Sequence, residues 1–164
     1  MLTILLVVLA AESEPQRGHI AVTGTALFPL DRGLPGAGGL EAGFEPTQQV
    51  RCLFVATFAG LYSQGRGRSG TEAWGLIPRL MTGVEAVITP WLPLELTAGA
   101  VLGPGFGNVS DVGNVPMLTG QLRAALGFRV TSWFTPGLFM TGNAVLLPLG
   151  PFWGELGARL AFRW

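Results

Sequence analysis

Apolar and polar residues alternate along the last segment of the chain, residues 152–164. Its even positions are apolar or glycine from Phe152 to Trp164. Its odd positions include three charged residues, which are Glu155, Arg159 and Arg163. Because successive side chains of a β-strand point to opposite faces, this period of two predicts a strand with one apolar and one charged face.

The same alternation recurs in residues 74–88, 92–102, 118–130 and 134–147. All charged residues of these segments and of the last one lie at odd positions. They are Arg79, Glu85, Glu95, Arg123, Arg129, Glu155, Arg159 and Arg163. Since the opposite faces hold almost no polar atoms, each segment is predicted to be a strand with a charged side and a fully apolar side.

Two kinds of β structure have such strands. A soluble sandwich or lipocalin-like barrel turns the charged face to water, whereas a transmembrane barrel turns the apolar face to lipid and the polar face inward. The chain is 49% hydrophobic and 12% charged, whereas about a quarter of the residues of a soluble domain are charged. Composition therefore favours the transmembrane barrel.

Clusters of Gly, Pro, Asn and Ser divide the chain into eight segments, which is an even number that can close on itself. The predicted strands are 18–28, 38–45, 51–62, 72–88, 92–103, 116–130, 134–147 and 152–164. We predict an all-β fold, an eight-stranded antiparallel up-and-down transmembrane β-barrel. Residues 51–62 are apolar on both faces, so the sequence does not assign their register.

Residues 1–11 form an apolar run that is too short for a membrane-spanning helix, which needs about 20 residues. Small residues end the run and a polar stretch follows, as at the end of a secretory signal peptide. A positively charged start is missing, and an apolar N-terminal strand or anchor helix is the alternative. We expect a signal peptide at 1–11 and one barrel domain at 12–164.

With the N-terminus in the periplasm, the turns near 46–49, 90 and 131–132 face the periplasm. The connections near 29–37, 63–70, 104–115 and 148–151 then face outward, and most of them are longer, as is usual for such barrels. This topology places Trp91 at the inner membrane boundary, and Trp74 and Trp153 at the outer one, as interface aromatics. The alternative is that these rings simply cap strand ends.

The chain resembles the small eight-stranded outer-membrane barrels of the OmpA/OmpX type over residues 18–164. The most specific part of the resemblance is the ending Leu156-x-Ala158-x-Leu160-x-Phe162-x-Trp164. Leu156, Leu160, Phe162 and Trp164 look like the C-terminal signal that such proteins present to the barrel-assembly machinery, although the last residue of that signal is most often Phe. The resemblance implies location in the bacterial outer membrane, contact with its lipid and lipopolysaccharide, and assembly by that machinery. It implies no catalytic activity.

Little else in the sequence indicates chemistry. The net charge is zero, which disfavours nucleic acid as a partner. The single histidine, His19, is predicted to face the lumen near the periplasmic end, far from the leaflet where a lipid A-modifying enzyme would act. Gly65 to Gly70 match a G-x-G-x-x-G pattern, but a strand and not a helix is predicted to follow. We expect no metal site and no cofactor.

The predicted lumen carries nine charged residues: Glu41, Arg79, Glu85, Glu95, Arg123, Arg129, Glu155, Arg159 and Arg163. Charges in so narrow a space must be paired, and arginine can bind carboxylates with two nitrogens at once. An Arg–Glu network that fills the lumen is favoured over a narrow ion or small-solute channel. The leading hypothesis is a monomeric, non-enzymatic barrel with a structural or surface-interaction role, acting through the connections 29–37, 63–70 and 104–115. A lipid-modifying enzyme is the third hypothesis.

Overall fold

Every segment of alternating residues becomes a strand in the computed structural model of the chain. The structure describes residues 17–28, 36–63, 73–89, 93–109, 113–147 and 152–164, and the expected signal peptide lies outside them. The strands are β1 (Arg17–Phe28), β2 (Gly36–Thr47), β3 (Val50–Ser63), β4 (Ala73–Ile88), β5 (Leu94–Val109), β6 (Gly113–Phe128), β7 (Phe134–Leu147) and β8 (Phe152–Arg163).

Each strand pairs antiparallel with the next, and β8 pairs with β1, so the sheet is a closed barrel. The predicted all-β, eight-stranded antiparallel architecture is confirmed. Among the residues that the structure describes, no helix is long and apolar enough to cross a bilayer.

The inner and outer faces follow one rule of numbering around the whole barrel. Buried side chains occupy odd positions in all eight strands, and large exposed apolar side chains of the strands occupy even positions, except for Leu147 at the end of β7, where the β6–β7 register shifts. Leu80, Leu122 and Phe152 are among the most exposed side chains of this outer surface. A closed sheet that satisfies its own backbone and exposes an apolar belt suits hydrocarbon, because no strand edge is left without hydrogen bonds.

The two longest connections between strands, 29–35 and 64–72, lie at the same end of the barrel. The end where β1 begins and β8 stops, called here the terminal end, carries the two-residue turn Gln48–Gln49 between β2 and β3. Residues 89–93 and 129–133 form the other two connections at this end. The opposite end, called the loop end, carries the connections 29–35, 64–72, 110–112 and 148–151.

One predicted connection is wrong. Residues 104–115 were expected to form an outward loop, but β5 continues to Val109 and β6 begins at Gly113. Pro104 suggested a break, since proline has no backbone N–H to donate. In the barrel the β4–β5 ladder skips both Pro78 and Pro104, whereas Pro104 still pairs with Leu118 of β6. Each of these two prolines therefore pairs with only one neighbouring strand, and the pairing that it lacks is the one between β4 and β5.

The structure also gives the register that the sequence left open. In β3, Arg51, Leu53 and Val55 point inward, and Phe54 and Phe58 point to lipid. Leu53 and Val55 pack against Met81 of β4 and Val101 of β5 in an apolar cluster inside the barrel. The interior is therefore apolar along this wall, which explains why both faces of the segment look alike in sequence.

Two glycines illustrate how closely the strands approach one another. A Cβ atom on Gly157, which faces inward from β8, would lie 1.9 Å from the carbonyl oxygen of Gly24 in β1. A Cβ atom on Gly24 itself, on the lipid face, would meet nothing within 4 Å. Only the first position requires glycine, because a side chain there would force the closing pair of strands apart.

We therefore expect Gly157→Ala to destabilise the barrel by about 1–3 kcal/mol, as overpacking does elsewhere. Gly24→Ala is the matched control at the same β1–β8 contact, and its unfolding midpoint should stay close to that of the wild type. The measurement is urea unfolding of the refolded protein in detergent micelles. Equal midpoints for the two variants would contradict the observed packing.

Candidate functional site in the barrel interior

Charged residues from six of the eight strands meet inside the barrel. Eight of the nine residues proposed for the lumen network are buried there, and the ninth, Arg129, follows β6 at the terminal end with 29% of its side chain exposed. The structure adds two residues that the sequence analysis did not include, Glu45 and Arg51, both buried. Five glutamates and six arginines thus share the interior and its rim, and they form three groups along the barrel axis.

The central cluster consists of Glu41, Glu85, Arg123 and Arg159. Arg123 of β6 pairs with Glu41 of β2, and Arg159 of β8 lies 3.3 Å from Glu85 of β4. In a ring of eight strands, β2 lies opposite β6 and β4 lies opposite β8, so each of these pairs crosses the full diameter. The Arg159 guanidinium also lies 2.8 Å from Glu41, and that of Arg123 lies 3.3 Å from Glu85. All four residues are therefore joined.

The terminal cluster surrounds Arg51, which is completely buried. Arg51 donates to Glu45 at 2.7 Å, to Glu85 at 2.7 Å and to Glu95 at 3.3 Å. Two further arginines share these carboxylates. Arg163 of β8 pairs with both Glu45 and Glu95, and Arg129 donates to Glu95 at 3.1 Å. Glu85 links this cluster to the central one.

The third group lies nearest the loop end and is centred on Arg79. Arg79 of β4 donates to Glu155 of β8, directly opposite, at 3.2 Å, and to the Asn143 side-chain oxygen at 2.6 Å. Gln121 donates to the same oxygen of Asn143 at 2.9 Å. The guanidinium of Arg79 also lies over the ring of Trp153, 5.3 Å from its centroid, an arrangement in which the aromatic face attracts a cation.

The prediction that Trp153 is an interface aromatic is wrong. It occupies an odd position, is only 4% exposed, and packs with Ile77 and Val145 inside the barrel. Its indole N–H donates to Glu155 at 3.0 Å. Phe152, at the preceding even position, takes the lipid side instead. Trp91 and the side chain of Trp74, the other two proposed interface aromatics, lie outside the described residues.

The residues of the proposed C-terminal assembly signal line the outer surface. Leu156, Leu160 and Trp164 are exposed there. Phe162 is half-buried because its ring stacks on those of Trp133 and Phe134, with centroids 6.1 and 5.2 Å away. Their role in assembly stays a prediction.

His19 lies within the central cluster and is completely buried. Its Nε2 atom lies 3.1 Å from the Arg159 guanidinium and 3.9 Å from the Glu41 carboxylate. The sequence expectation of an inward-facing histidine agrees with this placement. Among the described residues no group of three or more histidine, cysteine or acidic side chains is arranged to hold a metal ion.

The network predicts a large difference between two arginines at the terminal end. Arg51→Met removes a cation from three buried carboxylates, so it should lower the free energy of unfolding by about 3–5 kcal/mol. Arg129→Met removes one pair whose arginine is 29% exposed, and Glu95 keeps Arg51 and Arg163, so the change should cost about 1 kcal/mol or less. Urea midpoints in detergent micelles measure both, and equal costs would show that burial does not set the strength of these pairs.

Comparisons with known proteins identify the fold. No family model matches the sequence, and no curated protein matches it. Neisserial surface protein A is 14% identical with a TM-score of 0.63, over 90% of this chain and 95% of that one. The N-terminal β-barrel domain of Pseudomonas aeruginosa OprF is 16% identical with a TM-score of 0.61, over 90% and 97% of the two chains.

Yersinia pestis Ail, in a structure with the heparin analogue sucrose octasulfate, is 12% identical with a TM-score of 0.58, over 92% of this chain and 100% of that one. Identities this low establish a shared fold and nothing further. Together with the apolar belt, they show that this chain has the fold of the small eight-stranded outer-membrane β-barrels.

Proposed function

We propose that this protein is a sealed outer-membrane barrel with a structural or surface-interaction role, and that it neither conducts solutes nor catalyses a reaction. The observation that carries the proposal is the set of ion pairs between opposite strands. Arg123–Glu41, Arg159–Glu85 and Arg79–Glu155 each join strands on opposite sides of the ring.

An eight-stranded barrel has an interior just wide enough for side chains to fill. Pairs that span its diameter place their charged groups at the middle of the lumen, where a solute would have to pass. The central cluster does this along two diameters, β2–β6 and β4–β8, that meet in one connected group. This geometry supports a lumen closed at its centre by bonded side chains.

The balance of charge supports the same conclusion. Selective ion pathways line a constriction with groups of one sign, such as rings of carboxylates or of arginines. Here every glutamate of the interior lies within 4.0 Å of at least one arginine, and Arg51 serves three carboxylates. Towards the loop end, Trp153, Ile77 and Val145 add an apolar cluster inside the barrel. Such an interior is suited to holding the strands together and not to passing solutes.

A barrel with a closed lumen acts through its surfaces. Of the three connections proposed for interaction, 104–115 is largely strand, so the surface-interaction role now rests on residues 29–37 and 63–70, which lie mostly outside the described residues. Arg66 and Arg68 of the second connection suit contacts with phosphate groups of lipopolysaccharide. The sulfated sugar analogue held by Ail is an example of recognition of an anionic saccharide by a barrel of this fold.

The enclosure of His19 argues against an enzymatic role. A histidine acting as general base must reach the proton that it removes, within hydrogen-bond distance or through one water. His19 is fully buried between Arg159 and Glu41 and reaches neither lipid nor either end of the barrel.

Conductance measurements test the sealed lumen. The wild-type protein, reconstituted in a planar bilayer, should show no discrete openings, because the crossing pairs occupy the lumen. A porin inserted by the same procedure is the positive control, and migration of unheated protein on a gel checks that the barrel is folded. Discrete wild-type openings that change when Arg123 and Arg159 are replaced would contradict the proposal and support the channel.

A further inference from the structure

A polar cavity of about 730 Å³ opens at the terminal end of the barrel. It lies between the β2–β3 turn and the end of β4, and residues at the start of β1 and the end of β6 complete its wall. The side chains that matter to the argument are Arg17, Glu45, Thr47, Gln49, Thr89 and Arg129. Ligand sites typically measure about 300–1,000 Å³, so the cavity can hold a small molecule.

Positive charge is in excess around this cavity, unlike in the rest of the interior. Among the described residues, Arg17, Arg51, Arg129 and Arg163 surround the terminal end, against Glu45, Glu95 and a share of Glu85, which also pairs with the central cluster. The central cluster, by contrast, balances two glutamates with two arginines, and Arg79 is matched by Glu155.

The glutamate at the cavity already has arginine partners. Among the described residues, Glu45 is the one carboxylate that lines it, and its Oε1 atom lies 2.7 Å from Arg51 and 3.1 Å from Arg163. The two cationic side chains on the wall are less engaged. Arg17 is exposed and has no ion-pair partner among the described residues. Arg129 has one ion pair, with Glu95, and its buried Nε–H has no hydrogen-bond partner there.

We propose that this cavity, called here the vestibule, binds a small oxyanion-bearing molecule, with a carboxylate or phosphate group held between Arg17 and Arg129. Guanidinium groups bind such oxygens with parallel N–H donors, and the side chains of Thr47, Gln49 and Thr89 can bind the remaining polar groups of the molecule. Because the two longest connections, 29–35 and 64–72, lie at the loop end, we take the terminal end to face the periplasm, so the molecule is either a periplasmic solute or the phosphate of an inner-leaflet lipid headgroup.

Binding of defined probes tests the vestibule. Citrate and inorganic phosphate are titrated into the folded protein in zwitterionic detergent, followed by calorimetry and by the backbone amide signals of Gln48 and Gln49. We expect saturable binding in the millimolar range or tighter. Arg17→Gln should weaken it about tenfold, the usual value of one charge-assisted hydrogen bond, and the added Arg129→Gln should abolish it.

Two controls distinguish specific binding in the vestibule from general electrostatic attraction of anions to this end of the barrel. Sucrose, which is polar but uncharged, should not bind. Ser132→Glu adds a negative charge at the same end of the barrel but outside the vestibule, so it should change citrate affinity far less than Arg17→Gln does. Among the described residues the exposed Arg17 side chain has no hydrogen bond or ion pair, so Arg17→Gln should leave folding unchanged, and an unaltered urea midpoint verifies this.

A second experiment, with lipid nanodiscs, distinguishes a lipid headgroup from a soluble molecule as the source of the oxyanion. If nanodiscs of phosphatidylglycerol shift the Gln48 and Gln49 signals in the wild type but not in Arg17→Gln, whereas phosphatidylcholine does not, the natural occupant is a headgroup. If only the soluble probes do so, it is a solute. No saturable response to any of these probes, or equal weakening by Ser132→Glu, overturns the proposal, and neither result affects the sealed lumen, which is tested by conductance.

Discussion

Charged side chains buried inside a closed ring of strands determine the register of this barrel and fill its lumen. An unpaired charge in so poorly solvated a space costs several kcal/mol, so each arginine must meet a carboxylate. Arg123 and Glu41 come from opposite walls, as do Arg79 and Glu155, and they meet only if the barrel has this strand number and this register. A slip of one residue would turn every inner charge towards lipid, where an arginine costs about 2–4 kcal/mol near the membrane midplane. The ion pairs thereby specify the fold as well as close the lumen.

The lipid face is organised by a simpler requirement, since it has to be apolar and continuous. Several of its glycines are covered by a neighbouring aromatic ring: Trp164 lies over Gly18 across the β1–β8 contact, Phe58 over Gly38, and Phe152 over Gly142. Such rings cover backbone that the glycine would otherwise leave exposed to lipid. On the inner face, glycine is required for a different reason, which is the close approach of neighbouring strands. Gly157 permits the close approach of β8 to β1, and Gly83 permits that of β4 to β5, where a Cβ atom would lie 2.0 Å from the carbonyl oxygen of Ala100.

Most of this architecture could be predicted from the sequence because membrane barrels impose opposite chemistry on odd and even positions. The prediction failed where the local chemistry is the same on both sides. The inner wall around Leu53 and Val55 is apolar, so β3 had no visible polarity and Arg51, at the centre of the terminal cluster, was missed. Arg51 has an odd residue number, as do the other charged residues of the interior, and this shared parity could have assigned it to the inner face. Trp153 was assigned by residue type to the interface, whereas its position in the alternation places it inside. The vestibule depends on how turns and strand ends meet, which no periodicity records.

We infer that ion pairs across the barrel diameter hold its walls together, and a double-mutant cycle on Arg79 and Glu155 measures this coupling. These residues belong to opposite strands, and each is the other's one ion-pair partner among the described residues. Arg79→Met, Glu155→Gln and the double variant are unfolded in urea in detergent micelles. The double variant should lose at least about 1 kcal/mol less stability than the sum of the two single changes, because each single change leaves a buried charge alone. Additivity within about 0.5 kcal/mol, as for distant independent sites, would show that the two residues are not coupled across the lumen.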